Sequence, residues 1–460
     1  MRKTLFFTLL LTLLSAGTIL YAAFDIYPLR DQVRVQELSE KDYGAESYGD
    51  ASAAKGLTAT LKTDYYEALC WETKIHFGAS NPETDTSYHL QFPVQKSTSH
   101  TRDRKEIDLH TSAAGVLDGT TVLQELAEGL EYGQRREEKI YLKDYADYYT
   151  IDAMILFPET TWAWQAGDDS GADNETEAAL QQLFDESFLF PLGSNVYVDA
   201  YGEEGEYGPA YGYSINTTSE GYYLNVKETF TGDSAYFTFN RKGESYWNLD
   251  VSHLPLGYGV YCLTVPQDGS RPTLTNVCPL NPDVKILKLT ADPGGENVLV
   301  HTVEDETYVV TVIDTADNSV TQRLELTEFP SDSPAWATYE ADGCTAVALG
   351  HKPETRQLIL LTKDGSGQYQ IHWNLTIPEK QSRVVSCSDN SDRDYYHDYW
   401  PVIAWNGQYL AFGLSDEYRD GFFISLYDEN GLVYYGQYHT SLNIWPIGLD
   451  KDVPLTLVWE

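Results

Sequence analysis

Tyr308-Val309-Val310-Thr311-Val312-Ile313-Asp314 runs into Asp317-Asn318 and returns as Val320 to Leu326. A β-branched and aromatic run, a turn dipeptide that tolerates positive φ, and a second extended run spell a hairpin. The same sentence recurs. Gly259-Val260-Tyr261-Cys262-Leu263-Thr264-Val265 precedes Asp268-Gly269 and a strand from Pro272 to Cys278. Leu358-Ile359-Leu360-Leu361-Thr362 precedes Asp364-Gly365 and Tyr369 to Leu375, and Phe422 to Tyr427 precedes Asn430-Gly431 and Val433 to Tyr438.

The turns at 268, 317, 364 and 430 are 49, 47 and 66 residues apart, and the longest interval holds a polar insertion at 381–399. One step back from 268 falls on Glu220-Gly221, between Tyr211–Ile215 and Tyr222–Val226. A period near 48 with room for about four strands per unit is the pattern of a β-propeller blade. The fold class read here is therefore mostly β, with propeller-like repeats over 190–460. The last strand, Leu455 to Trp459, is expected to complete the first blade and so remove an exposed edge.

The N-terminal half is less regular. Residues 1–24 read as a signal peptide or signal-anchor: Arg2 and Lys3, an apolar run from Leu5, then Ser15-Ala16-Gly17, with apolar residues resuming at Ile19. Either form places the body outside the cytoplasm, secreted or anchored, and touching membrane only through this segment. Residues 25–64 read as a linker or irregular segment. Residues 65–189 should carry strands at Leu69–Phe77 and Ser87–Phe92 and two helices, as a decoration or a small α+β region. One helix would open at Thr121 with capping-box spacing and a Leu123, Leu126, Leu130 stripe. The other would open at Asn174, with Glu177 three residues on, and carry an apolar stripe of Ala179, Leu180, Leu183, Phe184 and Phe188.

The 460 residues hold 70 acidic and 31 basic side chains, a net charge of −39. That balance excludes a nucleic-acid partner, whose phosphates need basic surface, and electrostatic docking on anionic lipid. There is no H-E-x-x-H, G-x-S-x-G, phosphate-binding loop or dinucleotide fingerprint, so the chain leans away from an enzyme. Paired carboxylates would still permit a carbohydrate-active hydrolase or lyase, and a scaffold subunit of an envelope complex is a third reading. The leading expectation is a binding or sensing protein for a glycan, a peptide or an envelope partner.

The candidate ligand-binding residues are aromatics beside acidic or Gly-rich loops: Trp162, Trp164, Tyr201, Tyr207, Tyr211, Tyr213, Tyr395, Tyr396 and Trp400. Their rings can stack on sugars or cations. No cofactor is required by any motif. Calcium is the one candidate, through Asp389, Asp392 and Asp394 in the insertion, although their spacing is not that of an EF-hand. Of five cysteines, Cys262 and Cys278 fall on the two arms of one hairpin and are the first candidates for a disulfide, with Cys344 and Cys387 the second.

Overall fold

The computed structural model describes residues 8, 11–21, 34–38, 48–65, 69–78, 81–90, 106–118, 120–156, 163–165, 174–192, 196–205, 208–216, 224–232, 234–241, 249–266, 271–330, 334–351, 354–378, 402–416, 421–441 and 455–460. The chain is mostly β, in small antiparallel sheets, and divides into two compact units: residues 1–96 with 330–460, and residues 97–329.

The first unit holds three propeller-like meanders. One is β19 (Pro334–Ala341), β20 (Cys344–His351), β21 (Glu354–Lys363) and β22 (Tyr369–Thr376). The next is β23 (Val402–Trp405), β24 (Leu410–Asp416), β25 (Gly421–Asp428) and β26 (Gly431–Thr440), with β1 (Val35–Glu37) added on the outer edge. In the third, β27 (Leu455–Trp459) lies beside β2 (Leu57–Tyr65), followed by β3 (Leu69–His76) and β4 (Glu83–Leu90). The terminal strand therefore does complete a sheet begun near the N-terminus, with Leu57 opposite Trp459 and Leu61 opposite Leu455. The innermost strands β19, β23 and β27 are neighbours. Gly413 on β24 lets Leu455 and Leu457 pack close there, since a Cβ would sit 2.8 Å from Leu455 Cδ2.

The second unit repeats the plan. One meander is β11 (Val226–Thr231), β12 (Ser234–Phe239), β13 (Gly259–Thr264) and β14 (Thr273–Pro279). Another is β15 (Lys285–Ala291), β16 (Asn297–Glu304), β17 (Thr307–Asp314) and β18 (Val320–Glu328). Three-stranded sheets are formed by β5 (Glu106–Ser112), β7 (Thr150–Leu156) and β8 (Ala163–Gln165), and by β10 (Gly208–Asn216), β9 (Val196–Gly205) and β6 (Arg135–Ile140). Here β5, β11 and β15 are the neighbouring strands.

The hairpins legible in the sequence are the third and fourth strands of the four-stranded meanders. The third is buried on both faces, so it reads as an unbroken apolar run; Tyr308 to Ile313 are all buried. The fourth is more exposed and polar in Val320–Glu328 and Tyr369–Thr376, whereas β26, covered by β1, keeps Tyr434 and Tyr438 buried. Positive φ at Asn318, Gly367 and Gly431 closes three of these turns.

The turn inferred at Glu220-Gly221 lies outside the described residues, but the strands on either side of it fall in different sheets. Tyr211–Ile215 belongs to β10 and pairs with β9, while Val226 opens β11 in another sheet. The N–H of Leu224 bonds to the carbonyl of Leu109, which draws this stretch to β5 rather than back onto β10. Strands before residue 190 also form meanders of the same kind, so sheet construction begins well before the period becomes visible.

Of the helices, α1 covers residues 11–21, α2 Ala113–Asp118, α3 Val122–Ala127 and α4 Asn174–Ser187. The α3 turn is shorter than its Leu stripe suggests. Thr121 makes no backbone cap and instead donates to Glu125 Oε1 at 2.7 Å, and Gly129 adopts φ +77° beyond the end. Most of the α4 stripe packs inward: Leu180, Phe184 and Phe188 are buried, Ala179 and Leu183 are half-buried, and Phe188 meets Tyr261 edge-on with centroids 5.1 Å apart.

Neighbouring meanders are stitched by side chains. Asn240, just after β12, donates to the carbonyl of Ile286 at 2.9 Å and accepts from its N–H at 2.9 Å. Ile286 is 1% exposed, so water cannot replace those bonds. Asn240→Ala should lower unfolding stability by about 1–3 kcal/mol, the cost of orphaned buried backbone groups. Urea denaturation checks this, and an unchanged midpoint would contradict it.

Candidate functional site

The sheet of β6, β9 and β10 carries the most open aromatic surface in the second unit. Along β9, Val196, Val198 and Ala200 are buried while Tyr197, Asp199 and Tyr201 alternate outward. The inward set packs beside α3. Arg136 anchors that helix by donating to the Leu126 carbonyl at 2.9 Å, where the end of the helix dipole favours a cation. Gly202 must be glycine: a Cβ would lie 2.3 Å from the Glu131 carbonyl oxygen. That close approach lets the backbone of Gly202 bond to Gly133 and Gln134 and holds out the turn bearing Tyr132.

Register defines the outward face. Tyr197 stands opposite Lys139, Asp199 opposite Glu137 and Tyr201 opposite Arg135. The Lys139 ammonium lies 5.4 Å from the Tyr141 ring centroid and 5.8 Å from that of Tyr197. Arg135 Nη1 is 3.5 Å from Asp199 Oδ2. Tyr132, Tyr141, Tyr145 and Tyr197 are 75%, 54%, 43% and 43% exposed. Among the described residues the other large exposed aromatics are Tyr21 and Tyr48, so the exposed rings concentrate on β9 and on the connections at the two ends of β6.

The aromatics singled out by sequence map onto this region only in part. Tyr201 is on the face, half-buried. Tyr211 and Tyr213 are in β10, opposite Gly202 and Ala200. Trp164 is in β8, opposite Ile155. Trp162, Tyr207, Tyr395, Tyr396 and Trp400 lie outside the described residues, as do Asp389, Asp392 and Asp394. Sequence reasoning missed Tyr132, Tyr141, Tyr145 and Tyr197. Tyr141 and Tyr145 flank the fully buried Leu142, and Tyr197 alternates with buried valines, a period-two signal that was available.

The expected Cys262–Cys278 disulfide is not formed: both thiols are free and buried. The hairpin register explains it. Cys262 faces Thr275 and Cys278 faces Val260, with a register shift between Val260 and Tyr261, so the two thiols are never directly opposed. Burial pushes the Cys278 thiol up to about 11. Cys344 is likewise free, buried and raised to about 12 by burial, and Cys387 lies outside the described residues. Among the described residues no three His, Cys, Asp or Glu side chains gather as a metal site.

Two buried polar clusters are structural in their bonding. His301 is wholly buried, with Nε2 3.2 Å from Thr290 Oγ1 and Nδ1 3.0 Å from Tyr308 Oη. Burial first, and Lys288 second, lower its pKa to about 3. In the first unit, Tyr434 Oη donates to Glu37 Oε1 at 3.0 Å and lies 2.5 Å from Tyr438 Oη, tying β1 to β26. Burial is the main cause raising both phenols.

Between an ordinary histidine pKa near 6.5 and about 3, the unfolded chain takes up a proton that folded His301 refuses. This contribution to stability is therefore complete above pH 6.5 and is lost as pH falls through that window. Lowering pH should cost up to about 1.4 kcal/mol per unit from this one group. A His301→Gln variant, less stable throughout, should show a shallower loss between pH 6.5 and 4.5 in denaturant titrations; equal slopes would contradict the assignment.

No family model matches the chain, and no curated protein matches it. Similar solved structures include Kuenenia stuttgartiensis hydrazine synthase, at 14% identity and TM-score 0.23 over 45% of this chain and 52% of that one. This chain thus spans about half the length of that protein. A 6-phosphogluconolactonase-like protein from Bacteroides uniformis is similar at 10% identity and TM-score 0.31, over 87% of this chain and 99% of its own. AztD from Citrobacter koseri is similar at 10% identity and TM-score 0.28, over 90% and 89%.

Proposed function

We propose that this chain is an extracytoplasmic binding or sensing protein that presents a sheet surface to a ligand rather than transforming it. The observation that carries this reading is the exposed pair Tyr197, on the outward side of β9, and Tyr141, the residue after β6, which share the Lys139 ammonium and stand 43% and 54% in water. The bonding of His301 and of the Tyr434–Tyr438 pair fits the same reading, because their polar atoms are occupied by other side chains rather than turned toward a reacting group.

Export is supported by the order of basic, apolar and small residues in the first segment. Residues 11–21 are helical, with Leu11, Leu13, Leu14, Ile19 and Leu20 all exposed, a surface suited to hydrocarbon or to a translocation channel. No helix among the described residues is long and apolar enough to cross a membrane. Fractionation of cells expressing the full chain should find it in the envelope or the medium, and replacing residues 2–24 should retain it in the cytoplasm. A cytoplasmic full-length protein would refute the export reading.

One observation favours a second reading. Glu137 and Asp199 are directly opposed on adjacent strands, a placement from which paired carboxylates can hydrolyse a glycosidic bond. Release of reducing sugar that is abolished by Glu137→Gln would establish this hydrolase reading; binding without release supports the first.

A further inference from the structure

The charges on the outward face of β6 and β9 alternate, and they narrow the kind of ligand that fits. Along β6 the outward residues are Arg135, Glu137 and Lys139; opposite them are Tyr201, Asp199 and Tyr197. Among the described side chains where β6 and β9 pair, two cations and two carboxylates balance, within a chain of net charge −39. The like charges of Glu137 and Asp199 stand directly across the ladder, which costs sheet stability. Arg135 offsets this through its ion pair with Asp199. Lys139 differs. Among the described residues its ammonium is placed against two tyrosine rings and makes no ion pair, in a protein where acids outnumber bases more than two to one.

A polyanion would meet Glu137 and Asp199 and the acidic field of the whole chain. A polycation would meet Arg135 and Lys139. Hydroxyl groups both donate and accept, so they complement both signs at once. The apolar faces of sugar rings stack on tyrosine. Tyr197 and Tyr201 are four residues apart on one strand, roughly 13 Å at strand rise, a span of about two to three hexose rings. Tyr141, which meets the same Lys139 ammonium as Tyr197, extends the aromatic surface beyond the end of β6.

We propose that the outward face of β6 and β9 is a docking track for a neutral polysaccharide, with Tyr141 and Tyr197 as stacking platforms and with Lys139, Arg135 and Asp199 bonding to its hydroxyls. This rests on the binding-protein reading and adds the ligand class and the face. The sheet provides the rigidity: the backs of Tyr197, Asp199 and Tyr201 are fixed by the buried Val196, Val198 and Ala200, so the platforms are preorganised and little ordering entropy is spent on binding.

The test is native affinity electrophoresis of the full chain in gels containing a mixed-linkage β-glucan, a galactomannan, a neutral arabinoxylan or, as the polyanion, polygalacturonate. The expected result is retardation by at least one neutral polysaccharide and none by polygalacturonate. Tyr141→Ala and Tyr197→Ala, each checked for an unchanged melting temperature, should weaken it about tenfold, while Tyr197→Phe retains it and Tyr48→Ala, in the other unit, has no effect. Retardation that survives the Tyr141→Ala/Tyr197→Ala pair would overturn the face while leaving a binding protein. Retardation by polygalacturonate alone, or by none of the four, would overturn the ligand class. Capture of a polypeptide by the same tyrosines would also overturn it, in favour of a protein partner. Should Tyr197→Ala unfold the chain, Tyr141→Ala alone decides the face.

Discussion

Val298, Leu299 and Val300 are consecutive in β16 and all fully buried, although neighbours on a strand point to opposite faces. The same holds for Leu358 to Leu361 in β21. A strand buried on both faces has no water for its backbone, so every N–H and C=O must be paired by adjacent strands. That requirement makes the meander the unit of construction: two interior strands are sheltered by an inner strand that packs against its neighbours and an outer strand that meets solvent. It also explains why β27 pairs with β2, since the inner edge of that sheet would otherwise be left open. Asn240 meets the same demand between sheets, its amide serving Ile286 as a strand backbone would.

Part of the chain's acidity belongs to its turns. Asp314, Asp317, Asp364 and Asp428 each accept the backbone N–H two residues on, at the tips of outer hairpins, and Asp50 and Asp250 do so before short turns. Where the acceptor is followed by serine, the hydroxyl joins in, and Asp250, Asp317 and Asp364 are held below the usual carboxylate range by Ser252, Ser319 and Ser366. A fold with many tight connections uses many such residues, and solubility follows from the same choice.

Against that background the β6–β9 face is unusual for its placement rather than its composition. Tyrosine is common in this chain, and Tyr236, Tyr261, Tyr308, Tyr427, Tyr434 and Tyr438 are fully buried. Most of these have a partner for the hydroxyl, as Tyr261 has in the Gly257 carbonyl and Tyr236 in Asn318. Tyr197 is left in water by a three-stranded sheet with one packed side, and Tyr132, Tyr141 and Tyr145 by the connections at the two ends of β6. A one-sided sheet offers its other side to whatever the protein meets.

The repeated hairpins and the fold class could be read directly from residues, because an apolar third strand followed by a polar fourth strand is a local pattern closed by local turn chemistry. The α4 stripe was legible for the same reason. Pairings between distant segments were not. The strand read before Glu220-Gly221 pairs with β9 upstream instead of with the stretch after it, and the Cys262–Cys278 bridge failed because a shift of register separates two positions that share a hairpin. The exposed tyrosines were visible as letters but not as a surface, since identical residues are buried elsewhere. Sequence by itself determined the periodic strands, the acidic turns and the apolar first segment, each set by residues close along the chain. Only the tertiary structure decided which strands share a sheet, which thiols face each other and which aromatics remain in water, because those depend on contacts whose loop-closure and burial terms act across hundreds of residues.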